Sequence, residues 1–351
     1  MFSCRLCSNS RISHFLNFFI MEKSDFKYFV GVDISKKSFD IAIIEGDDTA
    51  SFVFDNSQKG TRAFIRLLKN RGIPLEKTLV CLEHTGIYGR LVIARLLEKQ
   101  ANFCVEMSLR IIRSLGIQRG KNDRLDAIRI ARYAAKNHNE MELYRPVPEI
   151  LEKVNALLKV RDQLVRFRAD LCKHPNELKT FDPELGKLVQ RHIKKTTKCL
   201  NDEIRRMEGE IEALVLSDER LNTTVRLATS VTGIGMFTAL YFTIYTNFFT
   251  KYENPKQLAC YCGVVPFEHT SGSSIQKRAR VHHMANKTMK KQLHMCALAA
   301  VRHDPELKAY YERKAEEGKN KMLVLNNVRN KLVLRVCAVV KRQTPYQKSV
   351  A

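Results

Sequence analysis

Two apolar seams with heptad spacing lie in the middle of the sequence, and they constrain the fold more than any other feature. The steps between successive seam residues alternate between three and four. The seams run over Leu157, Val160, Leu164, Phe167 and Leu171, then over Leu200, Ile204, Met207, Ile211 and Leu214. Such spacing keeps apolar side chains on one side of an α-helix. We expect two long helices separated by a break at Pro175 and Pro183, which pair either within one chain or between two chains.

A different pattern precedes Pro146, where strand-like and helix-like segments alternate. We expect a β-hairpin over residues 27–44 that turns at residues 35–37, with further strands at 52–54, 78–82 and 102–107. The expected helices are 61–70, 86–99 and 123–136. Strands followed by helices are typical of an α/β domain.

These patterns predict a multidomain protein of α/β plus α class in four parts. We expect a disordered extension at residues 1–25, an α/β domain at 26–145, a helical coiled-coil linker at 146–221, and a mostly helical, basic domain at 222–345. The longest apolar runs, such as residues 91–97, fall far short of the ~20 residues that a membrane span needs. No membrane-spanning segment is therefore expected, and the basic residues described below are assigned to nucleic acid rather than to a membrane partner.

The charge of the chain indicates a polyanionic partner. Of its 351 residues, 60 are Lys or Arg and 37 are Asp or Glu, which gives a net charge of +23. Residues 271–351 alone hold 18 basic and 5 acidic residues. Each cation that neutralises a phosphate also releases a counterion, so nucleic acid is the first candidate and an anionic membrane the second. The 10 Cys are scattered, which is typical of reduced thiols in a cytoplasm.

Four carboxylates stand at positions that suit metal chemistry. Asp33 and Glu83 each end a strand-like segment, and Asp123 and Asp126 share one face at the start of an expected helix. Converging carboxylates bind hard cations such as Mg²⁺ or Mn²⁺, which activate the nucleophile in phosphodiester chemistry. Taken singly, each of these residues is more commonly a cap or an ion-pair partner.

Basic residues flank this acidic set. Lys121 and Arg124 lie beside the Asp pair in the sequence. Others nearby are Arg110, Arg113, Arg119, Arg129 and Arg132. An acidic cluster repels DNA unless a metal neutralises it. We therefore expect a metal site at the carboxylates, with Lys121 and Arg124 contacting nucleic acid around it.

Three sequence blocks carry a resemblance to a known family. They are residues 30–36, 83–88 and 121–127. In order and spacing they resemble the DEDD transposases of the IS110/IS1111 group of insertion sequences, also called IS116/IS110/IS902. The resemblance implies a RuvC-like (RNase H-type) catalytic domain over 26–145. It also implies the metal ligands, which are Asp33, Glu83, Asp123 and Asp126.

The C-terminal part resembles the second domain of the same family. The matching segments are residues 231–235, 263–266 and 271–272. In the family, the serine of the Ser-Gly pair is taken as a nucleophile on a DNA phosphate, and it maps here onto Ser271. The basic residues that follow are expected to contact phosphates, and they are Lys277, Arg278 and Arg280.

The chain departs from the family pattern at two positions. Ala285 stands where the family usually has a glycine before asparagine. Asn122 stands where a threonine is commoner before the Asp pair. Neither change touches the acidic set, but the first bears on the geometry of a turn.

The resemblance also implies a function and its partners. The protein would be a transposase that cuts and rejoins DNA strands for insertion-sequence transposition, with Mg²⁺ or Mn²⁺ as its cofactor. Its partners would be the insertion-sequence ends, the target DNA, a guide RNA from the element, and further copies of itself in a dimer or tetramer. The expected location is the nucleoid in a bacterial cytoplasm. Two alternatives remain: a RuvC-like metal-dependent nuclease on branched DNA without serine chemistry, and a non-catalytic DNA-binding relic.

Overall fold

The structure, a computed structural model, consists of two compact units. It describes residues 26–114, 122–252, 254–271 and 275–347, and it describes only the backbone at 268–271 and 275–278. The boundary between the units falls between Pro146 and Val147. We call them the N-terminal and the C-terminal unit. The expected disordered extension at 1–25 lies outside the described residues.

A mixed five-stranded sheet forms the centre of the N-terminal unit. Its strands are β1 (Tyr28–Ile34), β2 (Ser38–Glu45), β3 (Asp48–Asp55), β4 (Thr78–Glu83) and β5 (Asn102–Glu106), in the order β3-β2-β1-β4-β5. Strands β1, β4 and β5 are parallel, and β2 is antiparallel to both of its neighbours. The α/β character predicted for this region is confirmed.

Helices cover both faces of this sheet. They are α1 (Gln58–Asn70), α2 (Arg90–Glu98), α3 (Ser108–Ser114) and α4 (Asp123–Asn137). Buried side chains of α1 and α2, such as Phe64 and Leu96, pack with one face of the sheet. Those of α3 and α4, such as Ile111 and Ile130, pack with the other face. The alternating apolar residues of the strands supply both layers, as expected for a sheet that is buried on two sides.

One glycine determines how closely α4 lies against β1. A Cβ atom built on Gly31 would lie 2.2 Å from the carbonyl oxygen of Ala127 and 2.2 Å from the nitrogen of Ala131. Both alanines are fully buried. Only a residue without a side chain permits this contact between the two backbones. The first turn of α4 is thereby held next to Asp33, two residues further along β1.

Two long helices open the C-terminal unit and pair with each other. They are α5 (Glu149–Phe181) and α6 (Pro183–Ser217). Arg161 Nη2 lies 2.6 Å from Glu208 Oε1, and Arg168 Nη1 lies 2.9 Å from Asn201 Oδ1. The residue number of the partner on α6 decreases as the residue number on α5 increases, so the two helices run antiparallel within one chain. The coiled-coil character of this pair stays a prediction.

Of the two prolines predicted to mark the break between the long helices, Pro183 lies at it, where α6 begins, and Pro175 does not. Helix α5 continues through Pro175, which is buried, and ends at Phe181. A proline inside a helix removes one hydrogen bond, and the long helix tolerates that loss here. The chain instead reverses at Asp182, whose extended backbone and Oδ1 atom, accepting from the Leu185 nitrogen at 3.0 Å, start α6.

The rest of the C-terminal unit packs around α12. Its elements are α7 (Glu219–Thr229), α8 (Met236–Thr246), α9 (Pro255–Tyr261), β6 (Phe267–Ser271), β7 (Ile275–Arg280), α10 (Lys287–His303), α11 (Pro305–Glu316) and α12 (Lys321–Arg342). Val328, Leu332 and Val336 of α12 are fully buried in one core with the other helices. Among the described residues, no helix is long and apolar enough to cross a membrane.

Candidate active site

The predicted carboxylates come from three neighbouring elements at one edge of the sheet. Asp33 is the second-to-last residue of β1, and Glu83 is the last residue of β4. These strands are parallel neighbours, with Val32 opposite Leu82, so their carboxyl ends meet. We call this edge of the N-terminal unit, together with the first turn of α4, the carboxylate end.

Helix α4 brings the remaining pair to the carboxylate end. It begins at Asp123, and the side chain of Asn122 caps it, because Asn122 Oδ1 accepts from the Arg124 nitrogen at 3.0 Å. Acidic residues in the first turn also interact favourably with the helix dipole. Asp126 is on the same side of the first turn and forms an ion pair with Arg129, at 2.6 Å between Oδ1 and Nη1.

The electrostatics of Asp33 show that the four carboxylates influence one another. Burial, and after it the negative charges of Glu83, Asp123 and Asp126, together raise the pKa of Asp33 to about 6. Repulsion of this kind requires the charges to be close and poorly screened. The structure therefore brings the four predicted residues into one electrostatic cluster.

A fifth carboxylate, Asp40, belongs to the same cluster. It lies opposite Asp33 in the antiparallel pairing of β1 and β2, so both side chains point to the same face of the sheet. Burial raises the pKa of Asp40, and the charge of Asp123 raises it as well. The sequence analysis missed Asp40. The signal was available, because Asp40 interrupts the apolar run of β2 within the expected hairpin.

Glu83 and Glu106 are neighbours at the end of the sheet. They face each other across β4 and β5, and Glu106 is buried. Ser108 Oγ donates a hydrogen bond to Glu83 Oε1, and Arg110 Nη1 lies 3.2 Å from Glu106 Oε1. Glu83 is thus held in place by a neutral donor, whereas Glu106 is partly neutralised by a cation. Sequence reasoning also missed Glu106, which ends its strand as Glu83 does.

The donor set suits a hard divalent cation, although its members stand apart. Within the described ranges, no three His, Cys, Asp or Glu side chains lie close enough together to hold a metal ion. Carboxylate oxygens are the preferred ligands of Mg²⁺ and Mn²⁺, and a cation relieves the mutual repulsion seen at Asp33. The chemistry of the residues therefore fits a metal, and coordination requires the side chains to draw closer together.

Of the two basic residues predicted next to the Asp pair, the structure describes one. Arg124 is exposed in the first turn of α4. Lys121 lies outside the described residues. Arg113 on α3 is also exposed, so cations flank the carboxylate end on at least two elements.

The predicted serine lies on a β-hairpin of the C-terminal unit. Ser271 is the last residue of β6 and pairs with Ile275 of β7, and Lys277, Arg278 and Arg280 follow on β7. The side chains of Ser271, Lys277 and Arg278 lie outside the described residues, and Arg280 is exposed. The sequence analysis missed this hairpin, because its residues are mostly polar and basic and do not alternate with apolar ones.

The segments around the hairpin are fixed by close packing. Gly263 has a φ of +68°, and a Cβ atom there would lie 2.7 Å from the Ala285 Cβ atom. Asn286 Nδ2 donates to Tyr261 Oη at 2.8 Å. The turn at residues 232–235 is equally constrained, because a Cβ atom on Gly233 would lie 2.7 Å from the Cys296 carbonyl oxygen. That turn therefore serves the packing of α8 against α10.

Two family models match the chain. One, for DEDD transposases of the IS110 type and described as "Transposase", matches residues 30–178. The other, "Transposase IS116/IS110/IS902 family", matches residues 225–312. The chain belongs to the IS116/IS110/IS902 family of transposases. The resemblance inferred from the three sequence blocks is thereby confirmed.

Curated relatives of this transposase-family chain match between about half and nearly all of its length. The "Pilin gene-inverting protein" of Moraxella bovis is 26% identical over 328 residues, which are 92% of this chain and 99% of the relative. The "Transposase for insertion sequence element IS1111A" of Coxiella burnetii is 26% identical over 226 residues, which are 52% of this chain and 61% of the relative.

Among solved structures, "T. thermophilus RuvC in complex with Holliday junction substrate" is similar to part of this transposase-family chain. The sequence identity is 12% and the TM-score is 0.26, with 33% of this chain and 99% of that chain covered. A similarity of this size supports no conclusion about the fold or the function.

Proposed function

We propose that this protein is a DNA transposase that cuts and rejoins strands at the ends of an insertion sequence, with a divalent metal site formed by Asp33, Glu83, Asp123 and Asp126. The observation that carries the proposal is that the carboxyl ends of β1 and β4 meet beside the first turn of α4, which packs on β1 at Gly31. Membership of the transposase family supports transposition and recombination as the overall activity. The proposed N-terminal domain is RuvC-like, and its mixed sheet flanked by helices agrees with that assignment.

Two of the four carboxylates, Glu83 and Asp126, are oriented by a neighbouring side chain. A bound Mg²⁺ or Mn²⁺ would neutralise the cluster and polarise the phosphodiester. Ser108 orients Glu83 by its hydrogen bond, and Arg129 orients Asp126 by its ion pair. Asp40 adds negative charge next to Asp33 and would strengthen the attraction for a cation.

Ser271 is the proposed nucleophile of the strand transfer. Its Oγ atom would form a bond to the phosphorus, the bond from phosphorus to a sugar oxygen would break, and that oxygen would leave as a hydroxyl with the serine's proton. A sugar hydroxyl of another strand would then attack the phosphoserine and release Ser271. Lys277, Arg278 and Arg280 on the same hairpin supply positive charge for the phosphates.

The proposed partners are those that the family implies. They are DNA at the element ends and at the target, a guide RNA, and further copies of the chain in a dimer or tetramer. The net charge of +23 supports a nucleic-acid partner. Two of the relatives are named for inverting a pilin gene, which supports site-specific rearrangement of DNA as the type of reaction.

A strand-exchange assay tests the metal site. Asp123→Asn and Asp126→Asn are expected to abolish recombination, because each removes a ligand charge. Asp47→Asn is the matched control, since Asp47 is an exposed carboxylate in the β2–β3 turn at the opposite end of the sheet. Mg²⁺ is expected to raise the melting temperature of the parent and of Asp47→Asn, but not of Asp123→Asn. Full recombination by both active-site variants would contradict the proposal.

Trapping a covalent adduct tests the serine. The parent is expected to form a protein–DNA adduct that survives denaturation, Ser271→Ala is expected to lose it, and Ser274→Ala is expected to keep it. Cleavage by the parent without any adduct would instead identify a metal-dependent nuclease. An adduct that persists in Ser271→Ala and disappears in Ser274→Ala would place the nucleophile at the neighbouring serine.

A further inference from the structure

Exposed apolar side chains of the N-terminal unit are concentrated at the carboxylate end. Six large apolar side chains are exposed among the described residues of this unit, and they lie on or next to elements that reach the carboxylate end. They are Val53, Ile87, Tyr88, Met107, Ile112 and Leu125, with exposures of 64%, 74%, 41%, 57%, 61% and 43%. Single exposed apolar residues need no explanation, but a group around one site indicates a binding surface. We call this group the apolar rim.

Backbone contacts fix the position of two rim residues. Asn56 Nδ2 donates to the carbonyl oxygens of Tyr88, at 3.0 Å, and of Ser35, at 2.9 Å. Tyr88 therefore lies beside the turn that follows Asp33. Val53 lies opposite Asp40 in the pairing of β2 and β3, so it continues the same face of the sheet.

The other rim residues are close to carboxylates along the chain, and Ile87, which precedes Tyr88, follows Glu83 by four residues. Met107 directly follows Glu106, and Leu125 stands between Asp123 and Asp126. Ile112 lies one turn after Ser108 on α3, and Ser108 contacts Glu83. The apolar rim thus surrounds the cluster from the strand ends, from α3 and from α4.

Cations are interleaved with the apolar rim. Lys36 and Lys37 are exposed in the β1–β2 turn, and Arg113 and Arg124 are exposed next to Ile112 and Leu125. A surface that alternates cations with apolar and aromatic side chains matches a nucleic-acid strand, whose phosphates contact the cations and whose bases contact the apolar groups. In a paired duplex the flat faces of the bases are stacked on each other and are not available for such contacts.

We infer that the carboxylate end binds a nucleic-acid strand whose bases beside the cleaved phosphate are unpaired, with Tyr88 and Ile112 contacting the faces of those bases. This inference rests on the proposed cleavage at the same site. The acidic cluster alone would repel the strand, and the rim supplies attraction that does not depend on charge. Tyr88 carries the ring on which a base can stack, and Ile112 is the more exposed of the two.

The inference is tested by measuring how tightly the full-length protein binds two DNA probes. Ca²⁺ replaces Mg²⁺ in these measurements, so that binding is followed without relying on turnover. One probe is a labelled duplex with a central run of mismatches, and the other is the same duplex fully paired. The parent is expected to bind the mismatched probe at least about tenfold more tightly. Tyr88→Ala and Ile112→Ser are each expected to reduce binding of the mismatched probe about tenfold and of the paired probe less than about twofold.

Phe181→Ala is the matched control, because Phe181 is an aromatic side chain with 88% exposure at the end of α5. It is expected to leave both affinities unchanged. Equal affinity of the parent for both probes would overturn the inference, and so would an equal loss on both probes in the rim variants. A rim variant that changes the sedimentation coefficient and leaves the probe preference intact would show a protein interface instead.

Cleavage by Asp123→Asn on the same probes separates this inference from the proposed function. Cleavage equal to that of the parent would refute the metal site, whatever the binding preference. Cleavage that is lost in Asp123→Asn, together with equal affinity of the parent for the two probes, would refute only the role of the apolar rim.

Discussion

Helix α4 and the α5–α6 pair are packed in opposite ways. Between α4 and β1 the backbones touch, since Gly31 leaves no room for a single carbon atom. Along α5 and α6 only part of the seam is buried: Ile204 and Ile211 are buried, whereas Val160 and Phe167 are 42% and 52% exposed. The difference shows where positional accuracy is needed. The tight contact positions Asp123 and Asp126, two carboxylates of the proposed metal site, whereas the loose seam positions only the two helices.

The largest effect is expected from closing the gap at Gly31. Gly31→Ala places a carbon atom against backbone atoms of α4, which cannot move away by a side-chain rotation, so we expect a loss of at least about 4 kcal/mol in the free energy of unfolding. Gly209→Ala is the control, because a Cβ atom there meets nothing within 4 Å on α6. That control is expected to gain up to about 1 kcal/mol. Urea denaturation measures both, and similar values for the two variants would contradict the close packing.

Ile211, a buried residue of the α5–α6 seam, should show the next largest effect. Ile211→Ala removes a fully buried side chain from the core and is expected to cost about 2–4 kcal/mol in the free energy of unfolding. The same urea experiment measures it. A loss below the value for an exposed seam residue would mean that the helices do not pack on the core in this way.

A smaller effect, of opposite sign, is expected at Asp33. Because the pKa of this carboxyl is raised to about 6 in the folded protein, ionisation of Asp33 destabilises the fold. That penalty is absent below about pH 4, grows between pH 4 and 6, and is complete above pH 6. Asp33→Asn is therefore expected to stabilise the protein at pH 7 by about 1–2 kcal/mol, after a discount for solvent screening.

Thermal melts of Asp33→Asn at pH 7 and at pH 4 test this sign. The stabilisation should disappear at pH 4, because Asp33 of the parent is then protonated as well. Asp47→Asn serves as the control for the loss of one charge, since Asp47 is exposed in the β2–β3 turn. A destabilised Asp33→Asn at pH 7 would mean that Asp33 has a compensating partner in solution.

The smallest effect is expected in the exposed part of the seam. Phe167→Ala should change the free energy of unfolding by less than about 0.5 kcal/mol, since half of the side chain already contacts solvent. A change that depends on protein concentration would show instead that a second chain covers this part of the seam, and sedimentation of the parent and the variant would measure it.

The sequence predicted most strands and helices of the N-terminal unit, but not which residues of neighbouring strands lie opposite each other. Strands such as β4 and β5 follow from short apolar runs, and the start of α4 follows from an acidic first turn. The sequence analysis did not identify Asp40 and Glu106, because they matter through the residues opposite them, Asp33 and Glu83. Which residues lie opposite each other cannot be predicted from the sequence of one strand alone. In the C-terminal unit, a proline usually predicts the end of a helix, but α5 is long enough to continue through Pro175.

The contact at Gly31 has a consequence for related gene copies. Insertion sequences multiply, and the copies accumulate changes independently. A copy that keeps all of the acidic residues but replaces Gly31 would encode a protein in which Asp123 and Asp126 are displaced from Asp33, because α4 could no longer lie against β1. A count of copies with intact carboxylates therefore overestimates how many copies can still move. The codon for Gly31 has to be intact as well.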